Sequence, residues 1–492
     1  MCGILGHVSK MKLLDECSYY AGLERIAHRG PDATGLYLDK ENKVALGHVR
    51  LSILDVSDSA DQPMLHEESV VVVFNGEIYN FRELREQYLS GVPMVTSSDT
   101  EVLTKLYVKL GIDQLLEIIR GMFAFAIYDK PLGKVYLARD QVGKKPLYYF
   151  SNSSELFFGS EIRAFGPELP EKISIRDSVF NDCLYFKFSD DLSPYENIKM
   201  LDSGSYLEYS IESSKCDVKT YFRMSDLISE KEYVKNSKLS TSELVTKLDS
   251  LLYASIERRL ISDVPIASIN SGGIDSSLIS AIAYKVNGLK MYHVDVDGHS
   301  EIYYAQLLAQ YLGEDLVVKN ISVTDVEENL DEVIQYLEYP LVHSNSFGIS
   351  EVSKLARENG IKVLLGGEGA DELFGGYRFQ RRYNFAKQFS NKLTKYVANI
   401  FGKLTAFIED DASFKAYEKG IFSEEKTRIF DRKSKNLDAY HFVKNKRDRE
   451  VCAFMLGICQ EYLQPILLRA DKMGMKNSVE IRSPFLDLGV VE

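Results

Sequence analysis

The stretch "IASINSGGIDSSLIS", residues 266–280, decides the fold of the second half of the chain. An apolar run is followed by a serine and two glycines, and apolar residues then return at helical spacing. This pattern predicts a strand, a tight turn and a helix N-terminus, where backbone N–H groups and the helix dipole attract an anion. We expect a phosphate cradle formed by five residues: Ser271, Gly272, Gly273, Ser276 and Ser277.

Strands and helices alternate on both sides of this cradle. Ser240 and Glu243 form a capping box that opens a helix, and apolar strand candidates follow at 266–269, 291–296, 315–321 and 361–367. Such alternation predicts a parallel, doubly wound α/β sheet that binds ligands at the carboxyl ends of its strands. Residues after about 378 read as a helical C-terminal part.

Composition and charge narrow the class of protein. The chain has 492 residues, of which 45% are apolar and 27% charged, and length alone suggests about three domains. We find no apolar run long enough to cross a bilayer, so no membrane partner is expected. A net charge of -13 and a pI near 5.3 argue against a nucleic-acid partner.

The cysteines and the N-terminus indicate the compartment. No C-x-x-C pair occurs among the six cysteines, which are Cys2, Cys17, Cys183, Cys216, Cys452 and Cys459. They read as free thiols in a reducing environment, and the first residues lack the pattern of a secretory signal. We therefore expect a cytoplasmic protein.

The first part of the chain shows a different pattern of apolar residues. Residues 2–212 contain many short apolar or alternating runs and two clear helices, one of them opened by Ser98 and Glu101, which predicts an α+β arrangement. A polar stretch rich in Ser, Lys and Glu follows, and we assign 213–237 as a linker. The second domain then covers 238–492.

Cys2 follows the initiator Met, and a small residue at this position permits removal of that Met. The α-amine, with a reference pKa of about 7.7–8.0, and the thiol, at about 8.5, could then act as base and nucleophile in one residue. Alone, Cys2 reads as a thiol on a first strand. The polar clusters that accompany Cys2 in the sequence favour a catalytic role.

Polar clusters at turns supply groups that can bind an amino acid. Arg50 can hold a carboxylate with two hydrogen bonds, while Glu77 and Asp99 can hold an ammonium group. Asn75 and Gly76 follow a strand and offer two N–H donors, which is the requirement for an oxyanion hole. Each charge alone reads as structural, whereas the set together with Cys2 favours a site that binds an amino acid beside a nucleophile.

The motifs "CGI", "HRGPD", "NGEIYN", "SDTEV", "GMFAFAIYD" and "ARDQVGKKPLYY" recur in the order found in class II glutamine amidotransferases. The first domain resembles this group of N-terminal-nucleophile hydrolases, whose fold is an αββα sandwich. The resemblance implies that Cys2 attacks the side-chain amide of glutamine and that Asn75 and Gly76 stabilise the oxyanion. It also implies that Arg50, Glu77 and Asp99 hold the substrate, so that ammonia is released.

The loop "SGGIDSS" has no lysine, unlike the common G-x-x-x-x-G-K-[ST] nucleotide loop. It resembles the loop of ATP pyrophosphatases, which cut ATP between the α- and β-phosphates. The resemblance implies that the cradle and Gly367 bind ATP and pyrophosphate, and that Asp275 and Asp371 hold Mg²⁺. Glu368 is then placed to take a proton from attacking ammonia.

The two halves together, followed by "GEGADELFGGY" and "LRADKMGMKNSVEIRSPFLD", resemble the glutamine-hydrolysing asparagine synthetase family over nearly the whole chain. The resemblance implies ATP-dependent amidation of aspartate to asparagine, with AMP and pyrophosphate as products. Ammonia would pass internally between the two sites. A homodimer is compatible with this assignment.

Two alternatives stay open. The region expected to shape the acceptor pocket, "LEYPLVHSNSFG", carries His343 and Asn345 where relatives differ, so the acceptor could be another carboxylate, such as a sugar acid of a surface polysaccharide. The chain also stops at Glu492 without a C-cap, whereas the family continues to a lysine that supports adenylation. We therefore expect a truncated chain, and the second alternative is that it retains only glutaminase activity or a non-catalytic binding role.

Overall fold

A computed structural model of the chain describes residues 2–166, 174–186, 188–189, 191–297, 301–377 and 436–492. The sequence predicts helices after about 378, and the part of that prediction covering 378–435 lies outside the described residues. All other predicted elements can be compared with the structure.

The first domain is built on two antiparallel sheets. Its strands are β1 (Cys2–Ser9), β2 (Ala33–Asp39), β3 (Val44–Arg50), β4 (Met64–His66), β5 (Val70–Ile78), β6 (Gly121–Asp129), β7 (Lys134–Arg139), β8 (Tyr148–Ser151), β9 (Glu155–Gly159), β10 (Lys199–Met200), β11 (Ser205–Ser210) and β12 (Cys216–Thr220). The six-stranded sheets have the orders β10-β8-β9-β1-β3-β2 and β12-β11-β7-β6-β5-β4.

Side-chain alternation along the strands explains the layers. In β5, Val71 and Val73 pack between the sheets, while Val72 and Phe74 pack on the opposite face beneath helices. The helices of this domain are α1 (Glu16–Glu24), α2 (Phe81–Tyr88), α3 (Asp99–Ile118) and α4 (Asp177–Phe186). Because α2 and α3 cover one sheet and α1 lies on the other, the predicted αββα sandwich is confirmed.

The helix cap at Ser98 differs in part from the predicted capping box. The Ser98 side chain accepts the Glu101 N–H, as predicted. The Glu101 carboxylate, however, accepts N–H groups of Val95 and Thr96. The helix runs to Ile118, with a kink at Gly111, where φ is 76°.

The predicted linker, 213–237, contains regular structure. β12 pairs with β11 along the edge of the second sheet, so the first domain extends past residue 212. An edge strand needs no apolar alternation when its outer side faces solvent, which is why its polar sequence reads as a linker. A helix, α5 (Glu230–Asn236), follows before the second domain.

The second domain contains a parallel five-stranded sheet with the order β15-β14-β13-β16-β17. Its strands are β13 (Ile266–Ile269), β14 (Met291–Val296), β15 (Leu316–Ile321), β16 (Val363–Leu365) and β17 (Glu480–Arg482). Its helices are α6 (Thr241–Arg259), α7 (Ile274–Asn287), α8 (Ile302–Leu312), α9 (Val323–Glu328), α10 (Leu330–Leu337), α11 (Ser346–Glu358), α12 (Ala370–Phe374), α13 (Lys446–Gln460), α14 (Leu463–Met475) and α15 (Leu488–Val491).

This arrangement confirms the predicted α/β sheet, with one difference near the C-terminus. The sequence predicts only helices there, whereas β17 pairs in parallel with β16. Three residues are too few to show strand periodicity, and only the tertiary contact identifies the strand.

One stretch differs from the expectation that nothing could cross a membrane. Lys446–Met475 is long and apolar enough to do so by length and composition, with a mean hydropathy of 1.4 over its most apolar part. The stretch comprises α13 and α14, separated by a turn at 461–462. All residues of α14 except Gln464 are buried, including Asp471 and Lys472, which make ion pairs. These contacts are those of a core helix.

Candidate active sites

Cys2 begins β1, a central strand of the first sheet, and pairs directly with Arg50 of β3. Its N–H donates to Asn75 Oδ1 at 3.1 Å, and its carbonyl oxygen accepts from Arg29 Nε at 3.1 Å. Burial raises the pKa of the Cys2 thiol, while the Leu51 N–H and the Arg50 charge act in the opposite direction. The backbone N–H and carbonyl groups of Cys2 are therefore both hydrogen-bonded, and the residue is shielded from water.

The predicted glutamine-binding residues converge on this cysteine. Cys2, Arg50, Gly76, Glu77 and Asp99 line one pocket. The Arg50 guanidinium is held by Asp61 at 2.6 Å and by the carbonyl groups of the loop after β3. The site residues come from three strands and from the first turn of α3, so the fold, rather than sequence proximity, assembles the pocket.

Asn75 and Gly76 lie near the end of β5, in register with β6. A Cβ at Gly76 would lie 2.1 Å from the Met122 carbonyl oxygen, so the close approach of the two strands requires glycine. Among the residues that the structure describes, the Asn75 side-chain nitrogen makes one contact, a long one of 3.5 Å with Ser160 Oγ. This amide retains the capacity to donate to a negatively charged oxygen near Cys2.

Two buried acids form the opposite wall. Asp99 accepts the Ile78 N–H at 2.8 Å, and burial raises its pKa to about 6. Burial also raises the pKa of Glu77 well above its usual range, with Arg482 opposing and Asp99 adding to the shift. An ammonium group bound between these carboxyl groups would favour their ionised forms.

The structure adds residues that the sequence does not single out. Arg29 pairs with Glu161 at 2.9 Å and with Asp471 of the second domain at 2.8 Å, in addition to its bond to Cys2. Arg482, also from the second domain, lies 3.4 Å from Glu77 Oε1. Arg29 stands in the "HRGPD" motif, but its partners lie 132 and 442 residues away, so only the fold reveals the cluster.

The strand, turn and helix predicted around Ser271–Ser277 are present at the carboxyl end of β13. Gly272 has a φ of 90°, and a Cβ there would lie 2.4 Å from the Glu301 carbonyl oxygen. Ser271 and Ser276 share a hydrogen bond of 2.8 Å between their hydroxyl groups. Gly273 is the N-cap of α7, and Ser277 Oγ lies 3.4 Å from Asn270 Oδ1.

Asp275, in the first turn of α7, and Asp371 of α12 lie close enough to affect one another. Burial and the Asp371 charge raise the pKa of Asp275. A Cβ at Gly367 would lie 3.3 Å from the Asp275 Cβ, so glycine lets the two loops approach. Mg²⁺ usually binds one or two carboxylates together with substrate phosphates, and this pair fits that donor set. No group of three or more metal-ligating side chains occurs among the described residues.

Glu368 follows β16, and its side chain contacts Ser483, which follows the neighbouring strand β17. Ser483 Oγ donates to Glu368 Oε2 at 3.3 Å, and Lys144 Nζ of the first domain donates to Ser483 Oγ at 2.9 Å. Arg482 and Ser483 are consecutive, so one short segment contacts Glu77 beside Cys2 and Glu368 after β16.

The predicted acceptor segment also lies against α14. Asn345 Oδ1 accepts a hydrogen bond from Arg469 Nη1 at 2.5 Å. The ring of His343 packs edge-on against Tyr462, with centroids 5.7 Å apart. The sequence places both residues in this segment but does not reveal either partner.

Comparison with known proteins agrees with this two-site arrangement. Residues 1–222 match the family model for a glutamine amidotransferase domain, and residues 247–492 match the model for asparagine synthase. Asparagine synthetase [glutamine-hydrolyzing] 1 of Bacillus subtilis is 31% identical over 99% of this chain and 79% of its own length.

Two further relatives show a similar degree of likeness. Putative asparagine synthetase [glutamine-hydrolyzing] 2 of Methanocaldococcus jannaschii is 30% identical over 82% of this chain and 81% of its own length. Asparagine synthetase B [glutamine-hydrolyzing] of Escherichia coli is 31% identical over 73% of this chain and 61% of its own length. The chain therefore belongs to the glutamine-hydrolysing asparagine synthetase family of carbon–nitrogen ligases, which use ATP and take their amide nitrogen from glutamine.

Proposed function

We propose that the chain converts aspartate, glutamine and ATP into asparagine, glutamate, AMP and pyrophosphate. The observation that carries this proposal is the direct connection between the two sets of site residues through one strand end. Arg482 contacts Glu77, and the next residue, Ser483, contacts Glu368, so a nitrogen-releasing site and a nitrogen-accepting site meet at one strand end.

In the first pocket, Cys2 is the nucleophile after removal of Met1. Its sulfur forms a bond to the amide carbon of glutamine, and the carbon–nitrogen bond breaks as the nitrogen leaves with a proton from the α-amine. Asn75 Nδ2 and the Gly76 N–H donate to the oxyanion during both steps. Water then hydrolyses the thioester to glutamate and restores the thiol.

Recognition of glutamine follows from the charges around Cys2. Arg50 binds the substrate α-carboxylate, because its guanidinium is already oriented by Asp61 and by loop carbonyl groups. Glu77 and Asp99 bind the α-ammonium group. Their raised pKa values in the free protein support this role, because a buried acid gains a partner for its charge when the substrate enters.

In the second site, an oxygen of the aspartate side chain attacks the α-phosphorus of ATP, and pyrophosphate leaves into the cradle around Ser271–Ser277. Asp275 and Asp371 would hold Mg²⁺, which would offset the phosphate charge. Ammonia then bonds to the acyl carbon, the bond to AMP breaks, and Glu368 accepts the surplus proton.

The test is a product assay with purified chain, glutamine, ATP, Mg²⁺ and a panel of carboxylates. The panel contains aspartate, glutamate and the sugar acids glucuronate and galacturonate. We expect AMP, glutamate and amide to form together with aspartate and with no other acceptor. Amidation of a sugar acid alone would overturn the choice of acceptor. Glutamate without AMP in every reaction would overturn the ligase assignment.

A further inference from the structure

The segment 140–145 of the first domain packs against the second domain, where Gln464 Nε2 donates to the Val142 carbonyl oxygen at 2.9 Å. The Asp140 carboxylate accepts the backbone N–H groups of Lys144 and Lys145 at 2.9 and 3.0 Å. Arg139 donates from Nε to the Lys145 carbonyl oxygen at 2.7 Å. The backbone at Lys144 is therefore fixed by buried charged groups, which determines where its side chain can reach.

The Lys144 side chain crosses the domain interface. Lys144 is 3% exposed and Ser483 is 4% exposed, so their 2.9 Å hydrogen bond is shielded from water. The Ser483 hydroxyl group in turn donates a hydrogen bond to Glu368 Oε2. Ser483 and Glu368 follow two neighbouring parallel strands, in which Leu365 and Arg482 are in register. The carboxyl ends of these strands form the expected ligand edge of the sheet.

Gly366 leaves the space that the Glu368 carboxylate occupies. A Cβ at Gly366 would lie 2.3 Å from Glu368 Oε2. The Gly366 N–H also donates to the Arg482 carbonyl oxygen at 2.8 Å, directly before Ser483. The backbone is thus shaped so that the carboxylate folds back toward Ser483.

Nearby carboxylates favour the charged form of the buried Lys144 side chain. Burial lowers the pKa of Lys144 to about 8, Lys145 adds to this effect, and Glu368, Asp471 and Asp140 oppose it. Within the described part of the chain, the ammonium group makes one hydrogen bond, to Ser483. A buried cation is costly unless nearby anions compensate it, and Glu368 is the first of those anions.

We propose that Lys144 is a positioning residue of the ligase centre: through Ser483 it orients the Glu368 carboxylate toward the ammonia that attacks the acyl carbon. This role rests on the proposed function. During the step, a carbon–nitrogen bond forms, the carbon–oxygen bond to AMP breaks, and one proton moves from nitrogen to Glu368. The glutaminase domain thereby contributes a side chain to the chemistry of its partner domain.

We expect loss of the Lys144 charge to slow amide formation and to leave adenylation unchanged. Lys144→Met preserves the length of the side chain but removes the charge and the hydrogen bond. Because general base catalysis contributes about 10²- to 10⁴-fold, loss of orientation should slow amide formation by about 10- to 100-fold. Lys144→Arg keeps a charged donor and should restore much of the rate. Ser483→Ala, which breaks the same relay with a smaller change, should act like Lys144→Met.

The experiment uses the full chain with aspartate, ATP, Mg²⁺ and ammonium chloride in place of glutamine. Single-turnover reactions measure pyrophosphate release and asparagine formation separately. The control is Lys362→Met, which removes another interdomain contact, the 2.7 Å pair with Asp32. This variant has no expected effect on the ratio of the two rates, because Lys362 does not contact Ser483 or Glu368.

Slow asparagine formation with normal pyrophosphate release in Lys144→Met and Ser483→Ala, and recovery in Lys144→Arg, would support the role. An unchanged ratio in Ser483→Ala would overturn it even if Lys144→Met fails to fold. Equal loss of both rates in Lys144→Met and Lys362→Met would also overturn it, because the effect would then be structural. If the parent chain released pyrophosphate but formed no amide with any acceptor, both this role and the proposed function would fall.

Discussion

Cys2 is the residue on which glutamine use depends, because it lines the pocket together with Arg50 and its N–H donates to Asn75 Oδ1. Cys2→Ala should lower glutamine hydrolysis by more than about 10³-fold, since no other group replaces the nucleophile. Synthesis with ammonium chloride should continue at the parent rate. Cys17→Ala, at an exposed cysteine, is the matched control. Parent-like glutamate release by Cys2→Ala would show that the nucleophile has been misassigned.

Asp99 gives glutamine binding a defined pH dependence. Its pKa is raised to about 6, so the carboxyl group is mostly neutral below that pH and cannot attract the substrate ammonium group. We predict that kcat/KM for glutamine falls with the protonation of the Cys2 α-amine and that Asp99 adds a further fall of about tenfold per pH unit below pH 6. In Asp99→Asn this additional fall should disappear, with a lower plateau. A flat profile from pH 5 to 8 in the parent chain would contradict this account of the wall formed by Asp99 and Glu77.

Asp275 is the residue that should distinguish the two chemistries. Asp275→Asn removes one carboxylate of the pair with Asp371, so pyrophosphate release should fall by at least about 10²-fold. Glutamine hydrolysis should change little, because Cys2 lies in the other domain. The two rates are measured on the same preparation, with Mg²⁺ varied. Normal pyrophosphate release in the variant would remove Asp275 from the proposed metal site.

At the scale of elements, the turn between β13 and α7 must follow a backbone path that suits only glycine. Gly272→Ala places a Cβ against the Glu301 carbonyl oxygen at a φ of 90°, so the cradle should deform and ATP binding should weaken. Gly288→Ala, at the other end of α7, is a suitable control because its φ is 61° and its Cβ would meet no atom within 4 Å.

The measurement is the thermal stabilisation of each variant by ATP and Mg²⁺. We expect the shift to be lost in Gly272→Ala and retained in Gly288→Ala. Equal shifts in the two variants would mean that the cradle geometry is not needed for nucleotide binding.

Elements with strong local patterns are predictable from the sequence, and short ones are not. The strand, turn and helix around Ser271 follow from apolar spacing and glycines, and the capping box at Ser240 forms fully. The edge strand Cys216–Thr220 and the strand Glu480–Arg482 are missed, because pairing rather than composition defines them. The second omission matters more, because Arg482 contacts Glu77.

At the scale of the whole molecule, the two domains are joined by buried charged groups from both. Lys145 and Arg29 both pair with Asp471, and Glu338 accepts the backbone N–H groups of Ile162 and Arg163. The motifs predict the chemistry of each site separately. They cannot predict this interface, because its partners lie more than a hundred residues apart and meet only after both domains have folded.

The most direct test of the account asks whether nitrogen from glutamine reaches the acceptor in an ATP-dependent step. Purified chain is given amide-¹⁵N-labelled glutamine, aspartate, ATP and Mg²⁺ in the presence of excess unlabelled ammonium, and the label in the amide product is measured alongside AMP and glutamate. We predict labelled asparagine in amounts equal to AMP, with enrichment well above that of bulk ammonium. Glutamate released without AMP, or an amide product with only the label content of bulk ammonium, would contradict the account.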